Sequence, residues 1–177
     1  MYRVGLLATA LAVATPALAD EPCRARASMA WARAGAGYLV EAVADGPTCQ
    51  KAVIVHVVRR PDGAPVWSDV VLAEWRFPDD APRDGAAMEK ALAQMLVEGL
   101  RSITGSEQLP EWKQGEEGAL RRGDTVWYAE TGVERAAWNA LRMAKRPVFT
   151  YLQGTESIGV LVLALDGSVT KAGYFVP

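Results

Sequence analysis

The segment from Lys51 to Arg76 constrains the fold of this chain most, because two apolar runs flank a turn there. The first run, residues 53–58, carries the only histidine of the chain, His56. The turn sequence, residues 61–64, reads Pro-Asp-Gly-Ala. An Asp-Gly pair between apolar runs is a strong short-range signal for a β-hairpin. We therefore predict two antiparallel strands joined by a tight turn.

A two-residue type I′ loop at Asp62-Gly63 would fix which residues of the hairpin face each other. This register places His56 directly opposite Asp69. The predicted opposite pairs are Arg59/Val66, Val58/Trp67, Val57/Ser68, His56/Asp69, Val55/Val70 and Ile54/Val71.

Alternation along the two strands sorts their side chains into two faces. We expect the uniformly apolar face to be core: Val53, Val55, Val57, Val70 and Leu72. The other face mixes large apolar groups with an acid and an imidazole: Ile54, His56, Val58, Trp67, Asp69, Val71 and Trp75. Exposed aromatic rings beside a few polar groups are typical of recognition surfaces. Trp67, Trp75, His56 and Asp69 are therefore the candidate binding residues, unless a helix covers this face.

Residues 1–19 have the pattern of a secretory signal peptide. Arg3 is followed by an apolar run at residues 4–14 and by the small-x-small sequence of residues 17–19. This pattern predicts cleavage after Ala19 and a periplasmic or secreted protein. The run is shorter than the roughly 20 residues that span a bilayer, and no later run reaches that length. We predict a single domain over residues 20–177 and no integral membrane segment.

The chain contains two cysteines, Cys23 and Cys49. An even number of cysteines in an exported protein indicates a disulfide. A redox pair is less favoured, because there is no Cys-x-x-Cys sequence to lower a thiol pKa.

Composition limits the classes of partner. The chain is 50% hydrophobic and 23% charged, with a formal net charge of −2, which is typical of a globular domain. No block of basic residues is present, so the electrostatic signature of a nucleic-acid-binding protein is missing.

The remaining sequence predicts further strands and two helices. Residues 25–34 fit a strand better than a helix, although both patterns are compatible with them. Residues 38–44 form a second strand. Apolar residues at helical spacing predict a helix over 84–103, and a capping-box sequence predicts a second over 132–146. A short strand is expected within 124–130, and further strands at 148–153, 158–165 and 169–176, with Tyr174 opposite Gly159.

These elements predict an α+β fold. We expect an antiparallel β-sheet made of an N-terminal meander and a C-terminal three-stranded meander, with two helices packed on one face.

No complete catalytic or metal-binding set is evident. His56 and Asp69 could act as a base and its orienting group, but alternation sends Ser68 to the opposite face. A zinc site would need more histidine or thiolate ligands than the chain provides. We expect no cofactor and no metal.

Three functions stay open at this level. The first is an exported, non-catalytic binding protein for a protein, peptide or cell-envelope glycan. The second is a small envelope hydrolase that uses His56 and Asp69. The third is a structural or assembly subunit with a symmetric interface.

Overall fold

A computed structural model describes residues 21–177; the predicted signal peptide, residues 1–19, lies outside them. The described residues form two antiparallel sheets, of four and five strands, together with three α-helices. The α+β class with antiparallel meanders is therefore confirmed. No helix within residues 21–177 has the length and hydropathy needed to cross a membrane.

The first sheet contains four consecutive strands in the order β1-β2-β3-β4. These are β1 (Cys23–Ala30), β2 (Leu39–Gly46), β3 (Val53–Arg59) and β4 (Pro65–Leu72). The preference for strand over helix is confirmed in the first part of residues 25–34. The chain then turns through a short 3-10 helix at Ala32–Ala34.

The predicted disulfide is confirmed, since Cys23 and Cys49 are bonded with their Cα atoms 4.8 Å apart. It joins the start of β1 to the turn that follows β2. Closing a loop of this length contributes about 3–4 kcal/mol by restricting the unfolded chain.

The hairpin register is confirmed from Val58/Trp67 through Ile54/Val71. Its turn differs from the predicted type I′ loop. The amide of Arg60 donates to the carbonyl of Ala64 at 3.0 Å, which closes a three-residue loop in which Gly63 has a φ of 82°. Arg59 consequently faces Pro65, so the predicted Arg59/Val66 pair is wrong. An irregularity next to Arg59 leaves Val66 as the extra residue of a bulge, and the bulge restores the expected pairing beyond it.

Three helices follow β4 in the chain. A short helix not predicted from the sequence, α1 (Ala73–Arg76), comes directly after β4. The predicted long helix is present as α2 (Gly85–Ser102), and the side chain of Asp84 caps it by accepting from the amide of Ala87 at 2.8 Å. The second predicted helix, α3 (Arg135–Met143), begins later than its capping-box sequence indicated, because Glu134 is still extended.

The second sheet has the strand order β5-β6-β9-β8-β7. Its members are β5 (Ala119–Arg122), β6 (Thr125–Ala129), β7 (Val148–Leu152), β8 (Ile158–Leu163) and β9 (Val169–Val176). The sequence did not predict β5, which pairs with β6. The predicted pairing of Tyr174 with Gly159 is confirmed.

Two hydrophobic clusters hold the layers together. In the first, α2 and one face of the second sheet cover the inner face of the first sheet. In the second, Trp138 of α3 packs with the other face of the second sheet. α2 therefore packs on the first sheet and on β7, whereas α3 packs on the other face of the second sheet, so the two helices do not share the single face that was expected.

The expected assignment of the hairpin faces is wrong. The face with His56 points into the first cluster, where Ile54 and Val58 are fully buried. The apolar face points outward, and Val70 is 61% exposed. The reason lies in the neighbouring strand: Val57 is opposite Glu41 and Val53 is opposite Asp45, so the valines share their face with charged residues.

Gly99 sets how closely α2 approaches β7. A Cβ atom at this position would lie 2.1 Å from the carbonyl oxygen of Thr150 and 2.8 Å from the ring of Phe149. The hydroxyl of Thr150 donates to the carbonyl of Gly99 at 2.9 Å. Helix and strand are thus in direct backbone contact at this point.

We predict that Gly99→Ala lowers the free energy of unfolding by about 2 kcal/mol, because the added methyl group must push α2 away from β7. Helix propensity alone predicts the opposite sign, a gain of about 1 kcal/mol. Urea denaturation of both proteins measures the difference. Lys90→Ala, an exposed change in the same helix, is the control and should alter stability by less than about 0.5 kcal/mol. A Gly99→Ala protein more stable than wild type would contradict the close-contact argument.

Candidate functional site

The predicted pair His56/Asp69 is opposite in register but lies on the inner face of the first sheet. His56 is only 2% exposed, and its Nδ1 atom has no hydrogen-bond partner among residues 21–177. Its ring centroid lies 5.9 Å from that of Tyr151. Burial, assisted by the positive charge of Arg76, lowers the pKa of His56 to about 4. The imidazole is therefore neutral at neutral pH.

Asp69 takes part in the same internal cluster through Tyr151 of β7. Burial raises the pKa of the Tyr151 phenol above its ordinary value, and the charges of Asp69 and Glu130 raise it further. Ser68, the nearest hydroxyl in sequence, is exposed on the opposite face. A general base must come within hydrogen-bond reach of the group it deprotonates. His56 is closed off from solvent, so this geometry favours a structural role.

The two candidate tryptophans differ in secondary structure and in exposure. Trp67 is half-buried, and its ring meets that of Tyr151 edge-on at a centroid distance of 4.6 Å. Trp75, in α1, is 63% exposed. Of the four residues predicted to form a binding face, Trp75 alone is well exposed.

The outer face of the first sheet presents a different candidate. Cross-strand pairing arranges its side chains in rows that run from β1 to β4. Three adjacent rows of this face are Arg24–Asp45–Val53–Leu72, Arg26–Val43–Val55–Val70 and Ser28–Glu41–Val57–Ser68. Charged residues in these rows occupy β1 and β2, whereas β3 and β4 contribute only apolar side chains and Ser68.

The apolar part of these rows forms a continuous surface, which we call the valine patch: Val43, Val53, Val55, Val57, Val70 and Leu72. Val70 is 61% exposed, and Val53 and Leu72 are each 38% exposed. Neither hydrophobic cluster of the described residues includes a side chain of the valine patch.

An ion network borders the valine patch. Glu41 is buried, and its carboxylate accepts hydrogen bonds from Arg26 and, at 2.5 Å, from Nε of Arg59. Burial acts to raise the pKa of Glu41, but the hydrogen bonds from Arg59 and Arg26 outweigh it and the pKa is lowered. The charges beside the patch are thus already paired within the chain.

A pocket of about 200 Å³ lies between α2 and β7. Apolar Met95, Leu152 and Ile158 line it, and Glu98 is exposed at its edge. Small-molecule sites usually enclose roughly 300–1,000 Å³ with several converging polar groups. This pocket is smaller and mostly apolar, so it is a weaker candidate for a binding site than the valine patch. The described residues also contain no group of three or more side chains arranged to hold a metal ion.

The valine patch could have been found from the sequence by extending the register one strand further. The turn at residues 45–48 is evident in the sequence, and the strands on either side of such a turn are natural partners. Pairing β2 with β3 aligns Glu41 and Asp45 with the valines of β3 and identifies their shared face as the exposed one.

No protein-family model, curated protein or solved structure matches the chain.

We predict that His56 makes the protein less stable in mild acid. Its pKa is 6.5 in an unfolded chain and about 4 in the folded protein, so between these values the unfolded state binds the proton. The free energy of unfolding therefore falls as the pH falls from 6.5 to 4, by up to about 3 kcal/mol.

Denaturation curves at several pH values, for wild type and His56→Gln, test this effect. Because His56 is the only histidine, the variant should lose the part of the pH dependence of unfolding that comes from the imidazole. It should keep the part that comes from the carboxylates. The two proteins are compared by the slope of the free energy of unfolding against pH, because the substitution itself also changes the absolute free energy of unfolding. Parallel profiles for the two proteins would contradict the buried, neutral imidazole.

Proposed function

We propose that the mature protein is an exported, non-catalytic binding protein whose partner is another protein, contacted through the valine patch. The signal-peptide pattern of residues 1–19 supports export. The disulfide between Cys23 and Cys49 is compatible with an oxidising compartment.

One observation carries this proposal: three exposed apolar side chains, Val53, Val70 and Leu72, adjoin three half-buried valines on a regular sheet face. Single exposed apolar residues are normal in soluble proteins, but a contiguous apolar surface indicates an interaction site. The patch also resembles the centre of a protein interface, in which charged residues are depleted while polar groups surround the rim. Here the rim is formed by the Arg24/Asp45 pair and the Arg26–Glu41–Arg59 network.

The valine patch favours a protein partner over a glycan. Sugar recognition uses exposed aromatic faces and hydrogen-bonding side chains, whereas this surface is built from aliphatic groups. The ring of Trp67, the aromatic residue nearest to His56 in register, packs against the ring of Tyr151.

The hydrolase alternative receives less support. It requires a base in contact with solvent and with a nucleophile. His56 is buried, and no nucleophilic side chain is hydrogen-bonded to its Nδ1 atom among the described residues.

A photo-reactive amino acid at Val70 tests the proposal in the cells that export the protein. We expect a discrete cross-linked product, because a partner seated on the patch lies within reach of this side chain. The matched control is the same amino acid at Ala136, an exposed position of α3, which should give none.

The cross-linked protein is then identified, purified and titrated against the mature chain. Val70→Lys should weaken binding at least about tenfold, since it places a charge in a desolvated interface. Ala136→Lys, which adds the same charge elsewhere, should leave affinity unchanged. Equal cross-linking at both positions, or equal affinity of both lysine variants, would refute the assignment of the patch.

A further inference from the structure

A second pocket, of about 360 Å³, lies beside β5, the edge strand of the second sheet. Its walls come from β5, from α3 and from the segment of residues 107–116. We call it the arginine pocket, because Arg121, Arg122 and Arg142 line it. Its volume falls within the roughly 300–1,000 Å³ that is usual for small-molecule sites. Most of its lining side chains are charged, in contrast to the apolar pocket between α2 and β7.

Hydrogen bonds from side chains hold one wall of the arginine pocket in place. The carbonyls of three consecutive residues in the segment accept from Arg122, from Nε of Arg142 at 3.1 Å and from Nε1 of Trp138 at 2.8 Å. Asn139 accepts from the amide of Trp112 at 3.0 Å and donates to its carbonyl at 2.8 Å. The pocket is therefore formed before any ligand arrives, which lowers the entropic cost of binding.

The guanidinium groups of the arginine pocket are not paired with carboxylates. No ion pair among residues 21–177 includes Arg121, Arg122 or Arg142. Arg122 and Arg142 are anchored to the carbonyls of consecutive residues, which brings two positive charges to the same part of the wall. A guanidinium has five N–H donors, and each anchor uses one of them. Most of these donors stay available, and a bound anion would offset the repulsion between the two charges.

Three glutamates also line the arginine pocket, but they do not neutralise its guanidinium groups. Glu116 accepts from the amide of Lys113 at 2.6 Å, and the carboxylate of Glu107 lies over Gly105. Glu111 is exposed to solvent. None of the three forms an ion pair with a basic side chain in the described part of the chain. The positive charge of the arginines therefore has no counter-charge in direct contact.

We propose that the arginine pocket binds a phosphate group. The planar guanidinium donates two parallel hydrogen bonds to a carboxylate or a phosphate. A phosphate group carries about two negative charges at neutral pH and offers three strong acceptor oxygens. It can therefore be shared by two or three arginines, whereas a carboxylate carries one charge and suits one arginine. The site lies on the second sheet and α3, away from the valine patch of the first sheet, and it is independent of the proposed function.

Calorimetric titration of the purified mature protein with inorganic phosphate, at constant ionic strength, tests the proposal. We expect saturable binding of one phosphate per chain, with acetate binding at least about tenfold more weakly. Arg121→Gln should weaken phosphate binding at least about tenfold, because it removes a charged donor. Arg121 is the informative position, since it does not anchor the wall as Arg122 and Arg142 do.

The matched control is Arg101→Gln, which removes the same charge from an exposed position of α2 and should leave phosphate affinity unchanged. Equal affinities for phosphate and acetate overturn the assignment of the ligand. Equal phosphate affinities of the Arg121→Gln and Arg101→Gln proteins overturn the assignment of the site. The second result is also the one expected if the arginines served only to anchor the wall.

A second probe distinguishes free phosphate from the phosphate of a lipid headgroup. Vesicles of phosphatidylcholine that contain phosphatidic acid are sedimented with the wild-type protein, and vesicles of phosphatidylcholine alone are the control. Competition by inorganic phosphate for binding to the phosphatidic acid vesicles identifies a headgroup bound in the arginine pocket. Binding of inorganic phosphate without binding to the vesicles identifies a site for the free ion. If the protein binds neither probe, the proposal is overturned.

Discussion

The gradient of side-chain size across the inner face of the first sheet is the constraint on which the packing depends. The half formed by β1 and β2 presents Ala25, Ala27, Ala42 and Ala44, all buried. Small side chains allow α2 to lie close to this half, as the contacts of α2 with both strands require. The half formed by β3 and β4 presents larger groups and packs against the face of the second sheet that includes Tyr151. α2 and the second sheet therefore lie side by side on the inner face of the first sheet. α2 covers the half with small side chains, and the second sheet covers the half with larger ones.

Gly99 connects these two neighbours. Its missing side chain lets α2 contact the backbone of β7, and the hydroxyl of Thr150 fixes the contact with a hydrogen bond to the Gly99 carbonyl. The helix that covers one half of the first sheet is thus joined to the sheet that covers the other half. His56 lies in the half covered by the second sheet, which explains why it is enclosed, neutral and beside an aromatic ring rather than open to a substrate.

The local elements could be predicted from the sequence better than their environment. Alternation and turn residues predicted the hairpin, the strands of the second meander and the long helix, because these depend on neighbouring residues. The turn shows the limit of this reasoning: its loop is one residue longer than expected, yet the bulge at Val66 returns the strands to the predicted register. The choice between the two hairpin faces failed because both are apolar enough to be core. The charged residues that share the outer face, Glu41 and Asp45 of β2 among them, distinguish the two faces.

The candidate site depends on the same choice between the two faces. Aromatic and polar groups on one strand face were interpreted as a recognition surface, but the ring of Trp67 packs against Tyr151 inside the protein, and Asp69 lies beside the same residue. This internal anchoring bears directly on the valine patch. Alternate residues of β4 are fixed from within, so the intervening residues, Ser68, Val70 and Leu72, are held in a regular strand conformation before any partner arrives. A surface that is already ordered loses little conformational entropy on binding. In the proposed function, the order of β4 therefore lowers the entropic cost of binding at the valine patch.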